Sequence, residues 1–145
     1  DKKWKDYDLD SALKDANAAL ELDGGNAVSY LLRGTVYSRL GKLDQALADL
    51  NQTVEMESGM AWGYQERGFI YAAMGKTDAA VADFYKAISL DPGDAWNYAG
   101  LGDVLYDAKR HPEALAAYQT YVDKEGEAAV EYIRERIVEL KKETK

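Results

Sequence analysis

The chain lacks several residue types that common functions require. Its 145 residues contain no cysteine, one histidine and two prolines. Without cysteine there is no disulfide framework, no thiolate metal site and no cysteine nucleophile, and both cytoplasmic and periplasmic compartments stay compatible. No apolar run approaches the ~20 residues of a membrane-spanning helix, so we expect no membrane insertion. Basic residues are outnumbered by acidic ones, 18 against 26, and the net charge of −8 argues against nucleic-acid binding.

What the chain does have is an internal repeat with a period of 34 residues. When the sequence is shifted by one period, small and aromatic residues align in three successive copies. The aligned sets include Ala27, Ala61 and Ala95; Tyr30, Tyr64 and Tyr98; Gly34, Gly68 and Gly102; and Ala46, Ala80 and Ala114. One such unit cannot bury its apolar faces alone, so the period predicts a stack of neighbouring units.

Each unit is predicted to form two antiparallel helices. From Ala27 the apolar residues follow helical spacing as far as Gly41, and a second helical run extends over Asp44–Met56. Gly41 suits the left-handed position that ends a helix. Thr77 and Asp94 are predicted N-caps of later helices. No window alternates with a strand period for long, so the predicted fold class is all-α.

The predicted order is seven repeat helices followed by one capping helix. Breaks are expected near residues 24–26, 41–43, 58–60, 75–77, 91–94, 109–112 and 125–126. The corresponding divisions are a partial N-terminal repeat with only its second helix over 1–26, full repeats over 27–60, 61–94 and 95–126, and a C-terminal capping helix over 127–145.

The two ends of the chain differ. In the capping helix Arg136 replaces the repeating glycine, which prevents another closely packed unit on that face. At the N-terminus, residues 8–22 match the second helix of a unit whose first helix would need residues before Asp1. We therefore expect the chain to be part of a longer one. The apolar face of residues 8–22 should be covered by upstream sequence, by another molecule or by the Trp4 segment.

The repeat now carries a resemblance to a known family. The spacing of Tyr64, Gly68, Tyr71, Ala80, Phe84, Ala87 and Pro92 resembles that of the tetratricopeptide repeat. About three units, residues 27–126, follow it, with Lys109 in the place of Gly41 and Gly75 as one departure. The resemblance implies a right-handed α-solenoid of antiparallel helix pairs, with a concave groove lined by the first helix of each pair.

The resemblance also implies which residues line that groove. Carried over position by position, they are Leu31, Thr35, Arg39, Trp62, Gln65, Phe69, Trp96, Ala99, Asp103, Tyr106 and Asp107. One subfamily binds the carboxylate tails of chaperones through lysines, arginines and asparagines at such positions, and this chain lacks that set. Asp103 and Asp107 beside Tyr106 instead predict an apolar protein segment with a basic residue at one end.

Two functions from different classes fit these features. The first is a non-enzymatic adaptor that binds a peptide or helical segment in the groove. The second is a structural module that associates with itself through residues 8–22. The aromatic residues Trp62 and Trp96 have two readings as well, since they either face solvent in the groove or pack in the core.

No catalytic, cofactor or metal site is predicted. Gly75-Lys76-Thr77 resembles the end of a phosphate-binding loop, but Ile70 stands where the motif requires glycine. The equivalent tripeptide one period earlier, Gly41-Lys42-Leu43, identifies it as a turn between helices. His111 has no second histidine or cysteine with which to bind zinc. An enzyme is therefore not expected.

Overall fold

The computed structural model describes the backbone of residues 2–144 and the side chains of residues 8–144. Within that part of the chain it has eight α-helices, one 3-10 turn and no strand. The helices are α1 (Lys2–Leu22), α2 (Ala27–Arg39), α3 (Leu43–Met56), α4 (Ala61–Ala73), α5 (Thr77–Leu90), α6 (Ala95–Asp107), α7 (His111–Glu125) and α8 (Glu131–Glu143). The all-α prediction is confirmed. The side chain of Trp4, proposed to cover α1, lies outside the described residues.

Consecutive helices pack against each other along the whole chain. The antiparallel pairs are α2 with α3, α4 with α5, and α6 with α7. Each pair contacts the next through its second helix, since α3 packs on α4 and α5 packs on α6. The result is an α-solenoid in which each pair is held by its neighbours. None of the helices in residues 2–144 combines the length and apolar character that crossing a membrane requires.

The helix ends follow the expected turn chemistry at most positions. Asp94 caps α6 as predicted, because its carboxylate accepts a hydrogen bond from the backbone N–H of Trp96 at 3.0 Å. Gly41 and Gly75 follow α2 and α4 with φ of 75° and 74°, the left-handed conformation expected of them. The predicted N-cap at Thr77 is wrong. Helix α5 already includes Thr77, and the preceding Lys76 makes no side-chain cap.

The core divides into a small N-terminal and a larger C-terminal cluster. The N-terminal cluster contains the fully or almost fully buried Leu31, Ala46, Leu50 and Ile70. The C-terminal cluster extends from α5 to α8 and contains Ala80, Val81, Phe84, Ala95, Ala99, Leu101, Val104, Leu105, Ala114, Ala117, Tyr118, Tyr121, Ala129, Ile133, Ile137 and Leu140. The solenoid is therefore better supported by apolar burial at its C-terminal end.

The repeating glycines mark the closest helix crossings. A Cβ atom at Gly34 would lie 2.1 Å from Cδ2 of Leu50, and one at Gly102 would lie 2.5 Å from the Tyr118 ring. Real Cβ atoms do not approach other atoms so closely. Glycine at these positions thus lets the two helices of a pair come together.

Both ends differ in length from the prediction. The helix expected from Asp8 begins at Lys2. The capping helix expected from residue 127 begins at Glu131, because a 3-10 turn over Gly126–Ala128 and an extended segment precede it. The positive φ of 58° at Gly126 breaks the helical path at that point. Helix α8 then packs on α7 and buries Ile133, Ile137 and Leu140.

Candidate functional site

The first helices of the pairs form the inner layer of the solenoid. Helix α4 contacts both α2 and α6, whereas no comparable contact joins α3 to α5 or α5 to α7 among the described residues. Helices on the concave side of a curved stack lie closer together than those on the convex side. The exposed surface of α2, α4 and α6 on this concave side is therefore the candidate groove.

Three of the aromatic side chains predicted to line the groove, Trp62, Phe69 and Trp96, are about half exposed. Their exposed fractions are 48%, 42% and 51% respectively. Trp62 and Phe69 are seven residues apart, about two helical turns, so both lie on one side of α4. Trp96 occupies the same repeat position on α6 as Trp62 does on α4. We name these three residues the aromatic row.

Each member of the aromatic row is also anchored to the chain. The Phe69 ring meets Phe84 edge to face with centroids 4.9 Å apart. Trp96 packs on Tyr121 at 5.5 Å. Trp62 Nε1 donates a hydrogen bond to Glu66 Oε1 at 3.3 Å. The rings of Phe69 and Trp96 are therefore packed on one side and half exposed, so both readings hold in part for Trp96, whereas the contact of Trp62 is a hydrogen bond at its indole nitrogen.

Polar groove residues between these rings make local hydrogen bonds. The Thr35 hydroxyl donates to the Leu31 carbonyl at 2.9 Å and lies 3.3 Å from Glu66 Oε2. The Gln65 amide donates to Asn97 Oδ1 at 2.7 Å. Arg39 is exposed at the end of α2. The floor of the groove is thus a fixed polar surface with an acidic residue, Glu66, that the sequence did not single out.

Two residues expected on the groove are in the interior instead. Leu31 is 0% exposed and Ala99 is 1% exposed. Leu31 belongs to the N-terminal core cluster and Ala99 to the C-terminal one. Because their helical position turns them toward neighbouring helices, neither can contact a partner. The prediction that they line the groove is wrong.

Asp103 is occupied by the chain's own donors. Its carboxylate accepts hydrogen bonds from Tyr118 Oη at 2.6 Å, Arg136 Nη1 at 2.6 Å and Tyr132 Oη at 2.9 Å. We name these four residues the aspartate cluster. Burial, followed by the Asp103 charge, raises the pKa of Tyr132 to about 12. The prediction that Asp103 is available to a partner's basic residue is therefore wrong.

Tyr106 is likewise turned toward the capping helix. The Arg136 guanidinium lies 4.3 Å from its ring centroid, and its hydroxyl donates to Glu139 at 3.1 Å. The His111 ring stacks on the Tyr106 ring with centroids 5.7 Å apart. Asp107, one residue further along α6, is exposed. Of the two acids predicted beside Tyr106, Asp107 is the exposed one, whereas Asp103 is partly buried and paired with Arg136.

Two arginines that the sequence analysis did not single out join the two helices within each of the first two pairs. Arg33 donates to both carboxylate oxygens of Asp49 at 2.7 Å, and Arg67 does the same to Asp83 at 2.7 and 2.8 Å. Hydrogen bonding to these carboxylates raises the pKa of both guanidinium groups. Two tyrosines flank each arginine at 5.5 to 5.7 Å and an asparagine accepts a further bond.

These groups form two equivalent clusters. The first arginine cluster comprises Asn17, Tyr30, Arg33, Tyr37 and Asp49, and the second comprises Asn51, Tyr64, Arg67, Tyr71 and Asp83. Every member of the second follows its counterpart by one period. That recurrence was visible in the sequence and could have revealed the clusters, because a charged residue that repeats with the packing residues serves packing.

A cavity of about 1020 Å³ opens between α1 and α2 at the N-terminal end of the groove. Apolar side chains supply most of its lining, to which Asp15, Arg39 and Trp62 also contribute. The members of the apolar set are Leu9, Ala12, Ala16, Ala19, Leu32 and Val36. Its α1 wall belongs to the apolar face of residues 8–22.

Gly75-Lys76-Thr77 lies between two helices as the repeat predicts, and His111 contacts the capping helix. The tripeptide forms the junction between α4 and α5. His111 begins α7, where Nδ1 lies 2.5 Å from Glu143 Oε2 of the capping helix. Both features belong to the scaffold.

Comparison with known proteins identifies the fold and the family. Family models described as tetratricopeptide repeat match residues 16–48 and residues 71–137. A crystal structure of MamA superposes with a TM-score of 0.84, 24% identity, and coverage of 99% of this chain and 83% of that chain. A thermophilic TPR protein in Thermus thermophilus gives a TM-score of 0.82 and 21% identity over 95% of this chain and 75% of that chain. A search of curated proteins finds no match.

A further structural relative has a ligand. The first TPR of Spaghetti bound to an HSP90 peptide superposes with a TM-score of 0.75 and 17% identity, over 81% of this chain and 92% of that chain. At such identities the structural likenesses establish a common fold. The two family models, which together match most of the sequence, show that this chain belongs to the tetratricopeptide repeat family.

Proposed function

We propose that this chain is a non-enzymatic adaptor that binds an apolar segment of another protein across the aromatic row. The observation that carries the proposal is the half-exposure of Trp62, Phe69 and Trp96 on the groove. Contiguous exposed apolar surface tends to mark interaction sites. Rings already fixed on one side lose little side-chain freedom on binding, which favours them as anchors.

Charge in the groove favours a partner with a basic residue. Glu66 lies beside Trp62, and Asp107 is exposed at the end of α6. Since Asp103 is held by Arg136, the partner's basic residue would meet Asp107 or Glu66. Arg39 is the exposed base of the groove set and would disfavour a second positive charge at the α2 end.

An acidic peptide is a poor match for this groove. The Spaghetti relative is bound to the HSP90 peptide SRMEEVD, which contains three acidic residues. In this chain Arg33 and Arg67 already hold Asp49 and Asp83. Recruiting them to a peptide carboxylate would leave a buried aspartate unpaired, which is costly. We therefore propose a partner chemistry unlike that of the HSP90 peptide.

Selection from a phage-displayed library of random peptides tests the proposal. The immobilised chain should enrich peptides with two or more apolar anchors and a basic residue. Trp62→Ala and Trp96→Ala should each weaken the selected peptides by more than about fivefold, because each removes a central aromatic anchor. The readout is the dissociation constant by fluorescence anisotropy.

Tyr85→Ala supplies the matched control. Tyr85 is 51% exposed, as Trp96 is, but it lies on the second helix α5 and outside the groove. It should leave affinity unchanged. Selected peptides that bind the double variant Trp62→Ala/Trp96→Ala as tightly as the parent would contradict the proposal.

Self-association through residues 8–22 is the second candidate. The cavity between α1 and α2 is the observation that favours it. Sedimentation equilibrium over a hundredfold range of concentration would detect a dimer, and Ala12→Lys on the cavity wall should dissociate it. A monomer throughout that range would contradict this candidate.

A further inference from the structure

A glutamine amide lies between the two tryptophans of the aromatic row. Gln65 is three residues, about one helical turn, after Trp62 on α4. Its amide nitrogen donates to Asp94 Oδ2 at 3.2 Å and to Asn97 Oδ1 at 2.7 Å. Those two acceptors stand on either side of Trp96 in the sequence. Gln65 therefore bridges α4 and α6 at the level of the two tryptophans.

The hydrogen bonds fix the direction of this amide. A carboxylate only accepts hydrogen bonds, so the group of Gln65 that faces Asp94 is its NH2 group. Asp94 is itself held in place, because it accepts the backbone N–H of Trp96 at 3.0 Å. The Gln65 carbonyl oxygen, Oε1, accepts no hydrogen bond from residues 8–144, and no buried side-chain polar atom in that range lacks a partner. Oε1 is therefore a solvent-accessible acceptor on the floor of the groove.

The spacing of the two tryptophans restricts the conformation of a partner segment. They occupy the same repeat position on helices that contact each other, and the axes of contacting helices lie about 8–10 Å apart. In a polyproline II segment, residues three apart share one side and lie about 9 Å apart. Residues seven apart in an α-helix lie about 10.5 Å apart. Residues on one side of a β-strand lie about 7 Å apart, which does not match.

The Gln65 oxygen separates the two conformations that match. The body of an α-helix uses its backbone N–H groups internally, so it would cover Oε1 without offering a donor, which is costly. A polyproline II segment has no internal hydrogen bonds, so its N–H groups are available. The indole N–H of the half-exposed Trp96 is in turn a donor for a carbonyl oxygen of such a segment.

Charge at this surface complements a basic segment. Glu66 accepts the hydrogen bond of Trp62 Nε1, and Asp94 immediately precedes α6. The neighbouring Arg67 is paired with Asp83 at 2.7 Å. Two negative charges therefore stand beside the tryptophans, and the adjacent positive charge is already occupied.

We propose that Trp62, Gln65 and Trp96 bind a segment of another protein in the polyproline II conformation, with apolar residues at positions i and i+3 and a flanking basic residue. The two apolar side chains lie on the tryptophans, and the N–H of an intervening residue donates to Gln65 Oε1. At least one intervening residue is therefore not proline. Aromatic-lined grooves suit this preformed conformation. The proposal rests on the adaptor function and deepens it by making Gln65 a residue that determines specificity.

A synthetic peptide tests the spacing. Its sequence, Arg-Leu-Pro-Ala-Leu-Pro-Ala-Leu-Arg, has leucines three apart, and its prolines favour the polyproline II region. The peptide is labelled with fluorescein and titrated with the chain while anisotropy is recorded. We expect saturable binding that weakens at least fivefold with Trp62→Ala and with Trp96→Ala. The matched peptide Arg-Leu-Pro-Leu-Pro-Leu-Ala-Ala-Arg has the same composition with leucines two apart, and it should bind at least fivefold more weakly.

Gln65→Met tests the hydrogen bond. Methionine has a similar length and helix propensity but no amide. The variant should bind the first peptide about fivefold more weakly, the size of one hydrogen bond. Gln119→Met is the matched control, since Gln119 also donates to an aspartate, Asp123 at 3.1 Å, but lies on the second helix α7. It should leave the affinity unchanged.

N-methylation of both alanines in the first peptide separates a direct contact from a structural role of Gln65. It removes the N–H between the leucines and keeps their spacing. The parent chain should lose about fivefold in affinity, whereas Gln65→Met should lose almost nothing more, because the hydrogen bond is already absent. Equal losses in both chains would overturn the proposal.

The remaining outcomes distinguish this proposal from the adaptor function. Library-selected peptides that require Trp62 and Trp96 but bind more tightly when stapled as helices would overturn the polyproline II assignment and leave the adaptor function standing. Selected peptides that bind while the first peptide does not would have the same meaning. A loss of the first peptide with Ala12→Lys would place it in the cavity between α1 and α2 and would also overturn the proposal. If no peptide of either kind binds, both proposals fail.

Discussion

The N-terminal and C-terminal halves of this solenoid join their helix pairs by different means. In the first two pairs a bidentate arginine–aspartate contact crosses from the first helix to the second. In the third pair Leu101 and Ala117 take the positions of Arg67 and Asp83, and both are buried in the larger core cluster. The same repeat position is thus charged where the core is small and apolar where the core is large.

This difference indicates what the charged contacts contribute. A partly buried ion pair adds little net stability compared with apolar packing of similar volume, but its fork geometry holds two helices in one register. The N-terminal core cluster has few residues that could fix the register between the two helices of a pair. The arginine clusters fix that register instead. At the C-terminal end the aspartate cluster instead ties α6 to the capping helix α8 through Arg136.

The largest effect should come from a bulky side chain at a repeating glycine, because close helix crossings occur in both halves of the solenoid. Gly68→Leu should destabilise the chain by about 3 kcal/mol or more through overpacking, because a Cβ atom there already lies 3.0 Å from the Phe84 ring. Urea denaturation followed by circular dichroism measures the loss. Gly59→Leu is the control, since a Cβ atom at Gly59 meets nothing within 4 Å. Equal midpoints for the two variants would show that the crossing is not tight.

The second arginine cluster and the aspartate cluster should differ in how much stability is lost when their aspartate is replaced by alanine. Asp83→Ala should cost about 2 kcal/mol, since it leaves Arg67 without its bidentate partner in a partly buried site. Asp103→Ala should cost about 1 kcal/mol, because its side chain is more exposed and Arg136 keeps its contact with Tyr106. Free energies of unfolding in urea provide the comparison. A larger loss for Asp103→Ala would reverse the proposed order of importance.

Converting the second pair to the chemistry of the third is the sharpest test. The double variant Arg67→Leu/Asp83→Ala should have a stability within about 1 kcal/mol of the parent, since apolar groups replace both charged partners. The single variant Asp83→Ala should be clearly less stable than the double. A double variant as unstable as Asp83→Ala would show that the ion pair adds net stability of its own.

The smallest effect concerns the turns. Lys109 has a φ of 63° where Gly41 and Gly75 have 75° and 74°. Since a side chain in this left-handed region is strained, Lys109→Gly should stabilise the chain by about 0.5 kcal/mol after the entropy of glycine in the unfolded state is included. Thermal melting measures it, with Gly75→Ala expected to shift the melting temperature downward. A lower melting temperature for Lys109→Gly would mean that the lysine side chain has contacts that outweigh the strain.

The sequence was sufficient for the fold because the fold depends on a period. Recurring small residues such as Gly34 and Gly68 mark the places where two helices cross closely, and Gly41 and Gly75 mark the turns between helices. The first residue of each helix was harder to predict from the sequence. Thr77 was a plausible cap by residue type, but whether a helix starts at or before it depends on the hydrogen bonds of the preceding turn.

The groove was only partly predictable for a related reason. The repeat position predicts the direction of a side chain on a first helix to within about one residue, and an error of that size separates the buried Leu31 from the exposed Leu32. Contacts with the capping helix were also hidden, because Arg136 is 33 residues from Asp103 and lies outside the regular repeat. The period of the sequence predicts the residues that pack within the repeats. It does not predict the contacts that the capping helix makes at the end of the solenoid.

The neighbour-only packing of the helices has a consequence for motion and folding. Helix α1 packs chiefly on α2, whereas α4 and α6 are held from several sides. Contacts between segments close in sequence form quickly, so the chain should fold fast for its size. Opening should begin at the end with the fewest partners, and amide hydrogens of α1 should exchange with solvent long before those of α6. Any segment that binds in the cavity between α1 and α2 would slow that exchange first, so the exchange rate of α1 would report its occupancy.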